Sequence, residues 1–226
     1  MKKEKFTAVI LARGGSKGIK YKNLIKINKK PLIYWTIKAC LNSKCINSIW
    51  VSSDNKKILH YSKKCGAKII FRPKKFAKDN STSESAWLHA IKFLERKNIL
   101  PLNLIGLQPT SPIRNENDID SACTKFIKKN YDSLFTALPI FDHFIWKKKN
   151  NKLIPNYNYN RRPRRQNINK KYLENGSFYI FKKDKFLKTK RRLFGKIGVY
   201  SMSKINSFQI DDSNDIQIVN ILKKFF

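Results

Sequence analysis

Along the chain, continuous apolar runs alternate with stretches whose apolar residues recur at helical spacing. FTAVILA, Phe6–Ala12, is apolar throughout, as a strand buried on both faces must be. PLIYWTIKACL, Pro31–Leu41, predicts a helix with proline in its first turn. SIWVSS, Ser48–Ser53, predicts a strand. Asp54–Gly66 predicts a helix capped by Asp54 and stopped by Gly66, and Ala67–Phe71 a third strand. The clearest helix is Ser81–Lys97, where Ala86, Trp87, Ala90, Ile91 and Leu94 share one face and Ser81 with Glu84 fits a capping box. Leu102–Gln108 is a fourth buried strand, followed by the helix ENDIDSACTKFIKK and the strand SLFTAL. From Pro139 to about Tyr172 the periodicity fails, and a basic, aromatic, Asn- and Pro-rich stretch predicts an arm or β-ribbon. Order resumes with GSFYIF, KIGVYSM and a last helix over Asp215–Phe226.

Strands alternating with helices predict an α/β fold with a mostly parallel central sheet covered on both faces. Such sheets bind ligands beyond the carboxyl ends of their strands, which singles out the loops after Ala12, Ser53, Phe71 and Gln108. The 226 residues suit one domain, 1–226, with residues 139–172 inserted as the arm. A chain of this size buries roughly 70–75% of its unfolded surface, and 41% hydrophobic content supplies the core.

The four cysteines form no C-x-x-C pair and the three histidines are scattered, so a zinc site is not expected. Free thiols fit a reducing compartment. No apolar run approaches ~20 residues, and the first residues lack a signal-peptide cleavage region. The expectation is a soluble, cytoplasmic protein without a membrane partner.

Charge complicates this picture. Lys and Arg number 49 against 15 Asp and Glu, a net +34. A field of that sign attracts polyanions, and a basic nucleic-acid-binding protein is the alternative of another class. Most lysines, however, stand singly or in pairs along the whole chain, which reads as compositional drift rather than a binding stripe. RRPRRQNINKK, Arg161–Lys171, is the exception.

LARGGSKGIKYKNL, Leu11–Leu24, follows the first strand directly. Gly14, Gly15 and Gly18 let backbone N–H groups approach an anion, and Arg13 and Lys17 add charge at the two ends of a triphosphate. The pattern is neither the P-loop nor G-x-G-x-x-G.

AVILARGGSKGIKYKNL resembles the N-terminal signature of the acylneuraminate cytidylyltransferases, the CMP-sialic acid synthetases. VSSD at Val51–Asp54, FRPKKFAKDNSTSES at Phe71–Ser85, LQPTSPIR at Leu107–Arg114, RRQNINKKYLENGSFYIF at Arg164–Phe181 and IDDSNDI at Ile210–Ile216 follow in the family's order. The resemblance implies a Rossmann-like nucleotidyltransferase that works as a homodimer through the 139–172 arm. It implies transfer of CMP from CTP to the anomeric hydroxyl of a nonulosonic acid with release of pyrophosphate. N-acetylneuraminate is the expected sugar, and pseudaminate, legionaminate and Kdo are the alternatives. No specific nucleic-acid partner is expected.

Residue by residue, the resemblance assigns Arg13 and Lys17 to the triphosphate, with Gly14, Gly15, Ser16 and Asn23 lining the same site. Arg72, Ser81 and Ser83 match positions at the cytosine and ribose, although Ser81 also suits a helix start. Gln108, Asn175 and Tyr179 match sugar contacts, and Arg165, carried by the arm, matches a position reaching the neighbouring subunit's sugar; Lys147 is a looser candidate. Leu193 and Phe194 stand where an aromatic pair packs on the N-acyl group. Arg114 is read as structural, paired with a carboxylate. Mg²⁺ (or Mn²⁺) is the expected cofactor, held by Asp211 and, in place of the family's first aspartate, the neutral carbonyl of Gln209. Asp212 and Asp215 suit a helix N-terminus equally well.

Overall fold

The computed structural model describes residues 5–15, 18–141, 144–164, 167 and 169–225. The elements run β1 (Phe6–Leu11), β2 (Lys26–Ile27), β3 (Lys30–Pro31), α1 (Leu32–Asn42), β4 (Ile46–Ser53), α2 (Lys56–Lys64), β5 (Lys68–Phe71), α3 (Ser83–Arg96) and β6 (Asn103–Leu107). They continue as α4 (Glu116–Lys128), β7 (Ser133–Ile140), β8 (Trp146–Lys149), β9 (Lys152–Pro155), β10 (Lys171–Lys182), α5 (Lys183–Thr189), β11 (Ile197–Ser201) and α6 (Ser213–Leu222).

Seven strands form one sheet in the order β11-β7-β10-β6-β1-β4-β5. All pairs are parallel except those of β10, which runs antiparallel to both β6 and β7. The sheet is thus a mostly parallel one, buried on both faces, as its continuous apolar strands require. One face packs on α1, α2 and α4 through Ile33, Ile37, Ile58, Ala122 and Phe126. The other packs on α3 and α5 through Trp87, Ile91, Leu94 and Phe186. Trp87 lies flat enough on β6 that a Cβ at Gly106 would fall 2.3 Å from its ring. A third, smaller cluster joins α6 to Ile27, Leu32 and Ile113.

Helix starts differ from the sequence expectation by one or two residues, each for a local reason. Asn55, not Asp54, caps α2, accepting from the N–H groups of Lys57 and Ile58 at 2.9 and 3.2 Å. Asp54 is drawn instead to the loop after β1. Thr82 caps α3 by accepting from Ser85 N–H at 3.1 Å, while the Ser81 hydroxyl donates to the Lys75 carbonyl and Glu84 pairs with Arg192. No Ser81–Glu84 capping box forms, because both side chains have partners elsewhere. Pro31 precedes α1 as its cap residue, with an extended ψ of 144°. Asp212 and Asp215 form a capping box that starts α6 at Ser213, two residues before the expected start.

The expected ribbon is a hairpin of β8 and β9 closed by Asn150 and Asn151, both at positive φ (47° and 59°). Two left-handed residues in succession match the twist of the flanking strands, and asparagine tolerates that conformation. No helix among the described residues is long and apolar enough to cross a membrane.

Candidate active site

The loops leaving the carboxyl ends of β1, β5 and β6 surround a cleft of about 500 Å³, with Asp211 from the segment before α6 completing its rim. Arg13, Asn23, Arg72, Ser81, Ser83, Gln108 and Asp211 all line it. Seven residues assigned from separate sequence segments are therefore brought to one place. Lys22, Phe76 and Asp79 line it too and were not singled out from the sequence, although Lys22 stands within the opening loop.

The loop after β1 is held open by tight packing. A Cβ at Gly14 would lie 2.9 Å from the Asn55 side chain, and one at Gly18 3.0 Å from the Asp211 carbonyl. Glycine at both positions permits that approach; Gly15 has open space around it. Asp54 accepts from Gly14 N–H at 2.8 Å, so the VSSD segment positions the loop. Asn23 is buried and donates its amide to the Arg13 carbonyl at 2.9 Å, bracing the loop from below. Ser16 and Lys17 lie outside the described residues.

Two cations of the cleft are fixed by the chain's own oxygens. Arg13 donates to Asp79 at 2.8 Å and to the Lys78 carbonyl at 3.4 Å. Lys22 donates to the Ile210 carbonyl at 2.8 Å and lies 3.5 Å from the Asp211 carboxylate. Arg72 is only 4% exposed, and its Nε has no partner among the described residues. Burial brings its guanidinium down to about 10; the Asp54 carboxylate opposes that shift and Arg13 adds to it. A buried, under-bonded guanidinium facing a cleft is a ready donor to a polar ligand.

The floor beside the cleft gathers Gln108, Tyr179 and Gln209. A methyl on Gly176, whose φ is +61°, would sit 3.2 Å from Nε2 of Gln209 and 3.9 Å from both Oε1 of Gln108 and the Tyr179 hydroxyl. Tyr179 is buried and donates to Glu174, and Arg192 donates to Tyr179 at 3.4 Å and to Glu84 at 3.1 Å. Burial first, and then the bond to Glu174, raise the tyrosine to about 12. Arg192 lies outside every recognised segment, and Glu84, inside one, was read only as a helix-capping residue, so their tertiary contact alone identifies the pair.

Arg114 is buried and structural, but its bonds go elsewhere than expected. It donates to the Ser177 carbonyl and hydroxyl at 2.8 and 2.9 Å and to the Thr36 hydroxyl at 2.8 Å. Burial lowers it to about 10, and Asp118 opposes the shift from a distance without bonding to it. The residue ties α1, β10 and the loop after Gln108 together. Asn175 is interior as well: its Oδ1 accepts from Thr136 at 2.6 Å and its Nδ2 donates to Ser207 at 3.0 Å. Phe194 is a core residue, packed with Trp87 and Phe186, while Leu193 is half-buried at the edge of that cluster. Lys147 is exposed on β8, and Arg165 lies outside the described residues.

Among the described residues no three His, Cys, Asp or Glu side chains converge as a metal site. Asp211, with a side chain 77% exposed on the rim, offers a single hard oxygen donor. That suits Mg²⁺ or Mn²⁺ sharing its shell with phosphate oxygens and water.

A cleft at the carboxyl ends of a mostly parallel sheet, walled by a glycine loop and by Arg13, Lys22, Arg72 and Lys78, is the ligand site of an α/β fold of this kind. Residues 7–224 match the cytidylyltransferase family model, and the chain belongs to that family. It is 34% identical over 215 residues to N-acylneuraminate cytidylyltransferase A of Danio rerio, covering 93% of this chain and 49% of that protein. The chain thus spans about half the length of that curated relative. It is 32% identical over 220 residues to the pseudaminic acid cytidylyltransferase of Campylobacter jejuni, covering 96% and 95% of the two chains. A solved CMP:2-keto-3-deoxy-manno-octonic acid synthetase complexed with CTP superposes with a TM-score of 0.73 at 15% identity, covering 98% and 99%, which speaks to the fold alone.

Proposed function

We propose that this chain is a CMP-nonulosonate synthetase that transfers CMP from CTP to a nonulosonic acid. The observation that carries the reading is the cleft itself. It places Arg13, Lys22 and Arg72 around one space of about 500 Å³ behind a glycine loop, with the Asp211 carboxylate on the rim.

In this reading the triphosphate lies along the loop after β1. Arg13 exchanges Asp79 for phosphate oxygens, and the loop's N–H groups share the charge, with Lys17 as a further cation. Phosphoryl transfer depends mainly on positioning and charge neutralisation, which such donors supply. Arg72 reads the cytosine, with the backbone near Ser81 and Ser83 completing the base and ribose site. Asp211 holds Mg²⁺ or Mn²⁺, with the carbonyl of Gln209 as the second protein donor. A metal held there would supply neutralisation of phosphate charge. Gln108 belongs to the sugar side, where it orients the acid so that its anomeric hydroxyl faces the α-phosphorus, and the buried Tyr179 and Asn175 stand behind it in the interior.

The sugar is N-acetylneuraminate in the first reading and pseudaminate in the second, which the Campylobacter relative favours by matching nearly end to end. The protein acts in the cytoplasm as a homodimer joined through the arm, where Ile145, Trp146, Leu153 and Ile154 are exposed and a second copy would cover them. In that dimer Arg165 reaches the partner's sugar carboxylate.

The test is pyrophosphate release by the purified protein with CTP, Mg²⁺ and each sugar in turn. Release with one nonulosonate, and product mass equal to its CMP adduct, is expected. Silence with N-acetylneuraminate, pseudaminate, legionaminate and Kdo alike would overturn the reading.

A further inference from the structure

Two thiols meet at the end of the sheet opposite the cleft. Cys45 lies in the turn entering β4, and Cys123 lies on α4, 78 positions further along, yet their sulfurs are 2.7 Å apart. All four cysteines are free thiols. Cys45 is half-buried and Cys123 only 2% exposed, so solvent reaches the pair from the Cys45 side.

The approach is built in. Asp120, one helical turn before Cys123, accepts from the Ser43 hydroxyl at 2.6 Å, Cys45 N–H at 3.0 Å and Lys44 N–H at 3.1 Å. One helix therefore clamps the turn carrying the first thiol and also carries the second. The two sulfurs are thereby held within 2.7 Å of each other, and a disulfide needs them closer by less than about 1 Å.

We propose that Cys45 and Cys123 form an oxidation site, at which hydrogen peroxide converts the thiol pair into a reversible disulfide. Cys45, the accessible member, attacks one peroxide oxygen as thiolate, breaking the O–O bond and giving a sulfenic acid and water. The Cys123 sulfur then attacks the Cys45 sulfur, the S–O bond breaks, and a second water leaves. Two thiols have lost two electrons and two protons, and one peroxide has become two waters. Burial, and then the hydrogen bond with Cys45, push the Cys123 thiol up, which assigns the first attack to Cys45. Cys40 is fully buried in the same cluster and is a bystander, its thiol pushed up to about 12 mainly by burial.

The cleft opens at the carboxyl ends of the strands, whereas Cys45 precedes the amino end of β4. The disulfide is thus a stabilising latch rather than a switch of the site. Closing so long a loop constrains the unfolded chain, and the thermal midpoint should rise by roughly 10 °C.

The test uses the full chain, reduced, then treated with dilute hydrogen peroxide. Denatured thiols should fall from the four of the reduced protein to two, and peptide mapping should join Cys45 to Cys123 within one chain. Dithiothreitol should restore both the thiols and the original midpoint. Cys123→Ser should leave Cys45 oxygenated and uncrosslinked, and Cys45→Ser should leave Cys123 a thiol. Four surviving thiols in the wild-type chain, a link between other cysteines, or a midpoint unmoved by the crosslink would each overturn the proposal, whether or not the variants fold.

Discussion

In the cleft Arg13 meets Asp79, Lys22 meets Asp211 and the loop after β1 is tied to Asp54, whereas the sequence from Pro139 to Tyr172 holds ten lysines and arginines and a single acidic residue, Asp142. With only 15 acidic residues in the whole chain, three of them serve one site. The cleft is braced from within before any ligand enters, and its cations wait in defined positions. The arm has no ion pair of this kind among its described residues. Its shape comes from the Asn150–Asn151 turn and a small aromatic set: Phe144 against Tyr157 at 4.5 Å, with the Arg162 guanidinium 4.2 Å over Phe144. Leu153 and Tyr159 remain 65% and 60% exposed. The cleft's charges are matched by its own chain, while the arm leaves apolar side chains uncovered.

That contrast can be broken in several ways. The largest effect is expected at Arg114, which has no contact with solvent to fall back on. Arg114→Ala would strand the Ser177 carbonyl and Thr36 hydroxyl and leave a cavity, costing about 3–5 kcal/mol in urea unfolding. A loss below about 1 kcal/mol would show that the bracing is dispensable. Arg13→Ala should lower turnover with CTP by ~10²-fold while leaving the unfolding midpoint nearly unchanged, since its pair with Asp79 is partly exposed. Near-normal turnover would remove Arg13 from the chemistry.

In the arm the sign reverses. Trp146→Glu with Ile154→Glu should raise the dimer dissociation constant at least ~10-fold in sedimentation velocity, yet shift the stability of the separated chain by less than about 0.5 kcal/mol. Unaltered sedimentation would remove the arm as the surface that joins two copies. The smallest effect concerns His89, whose buried Nδ1 has no partner among the described residues. Burial, then Arg96, Arg72 and Lys75, hold it below its usual 6.5. The unfolded chain therefore takes up this proton first on acidification, and stability falls as pH drops through 6.5 towards the lower native value. His89→Gln should flatten the decline in thermal midpoint between about pH 7 and pH 5 by about 1 °C. An identical slope in both proteins would show that other groups carry it.

Much of the frame was legible in advance. The strands at Phe6, Ser48, Ala67 and Leu102, the apolar face of α3 and the four ligand-bearing loops follow from local periodicity and turn residues. The hairpin was half legible: the basic, aromatic composition pointed to a ribbon, and the Asn-Asn pair between the lysines was the unused signal for its turn. Caps were misread because a side chain chooses among all partners in reach. Asp54 found the Gly14 N–H and Glu84 found Arg192, so Asn55 and Thr82 became the caps.

By itself the sequence determined the α/β class, the glycine loop after the first strand and the residues Arg13, Arg72, Gln108 and Asp211 as neighbours-to-be, because periodicity and motif are local and survive in one dimension. Only the tertiary structure decided that β10 runs against its neighbours, that Arg114 is held by hydroxyls and a carbonyl rather than a carboxylate, that Phe194 and Asn175 face the interior, and that Cys45 touches Cys123. Each of these rests on contacts between residues far apart in the chain. Such contacts are set by the packing of whole elements, which local pattern does not encode.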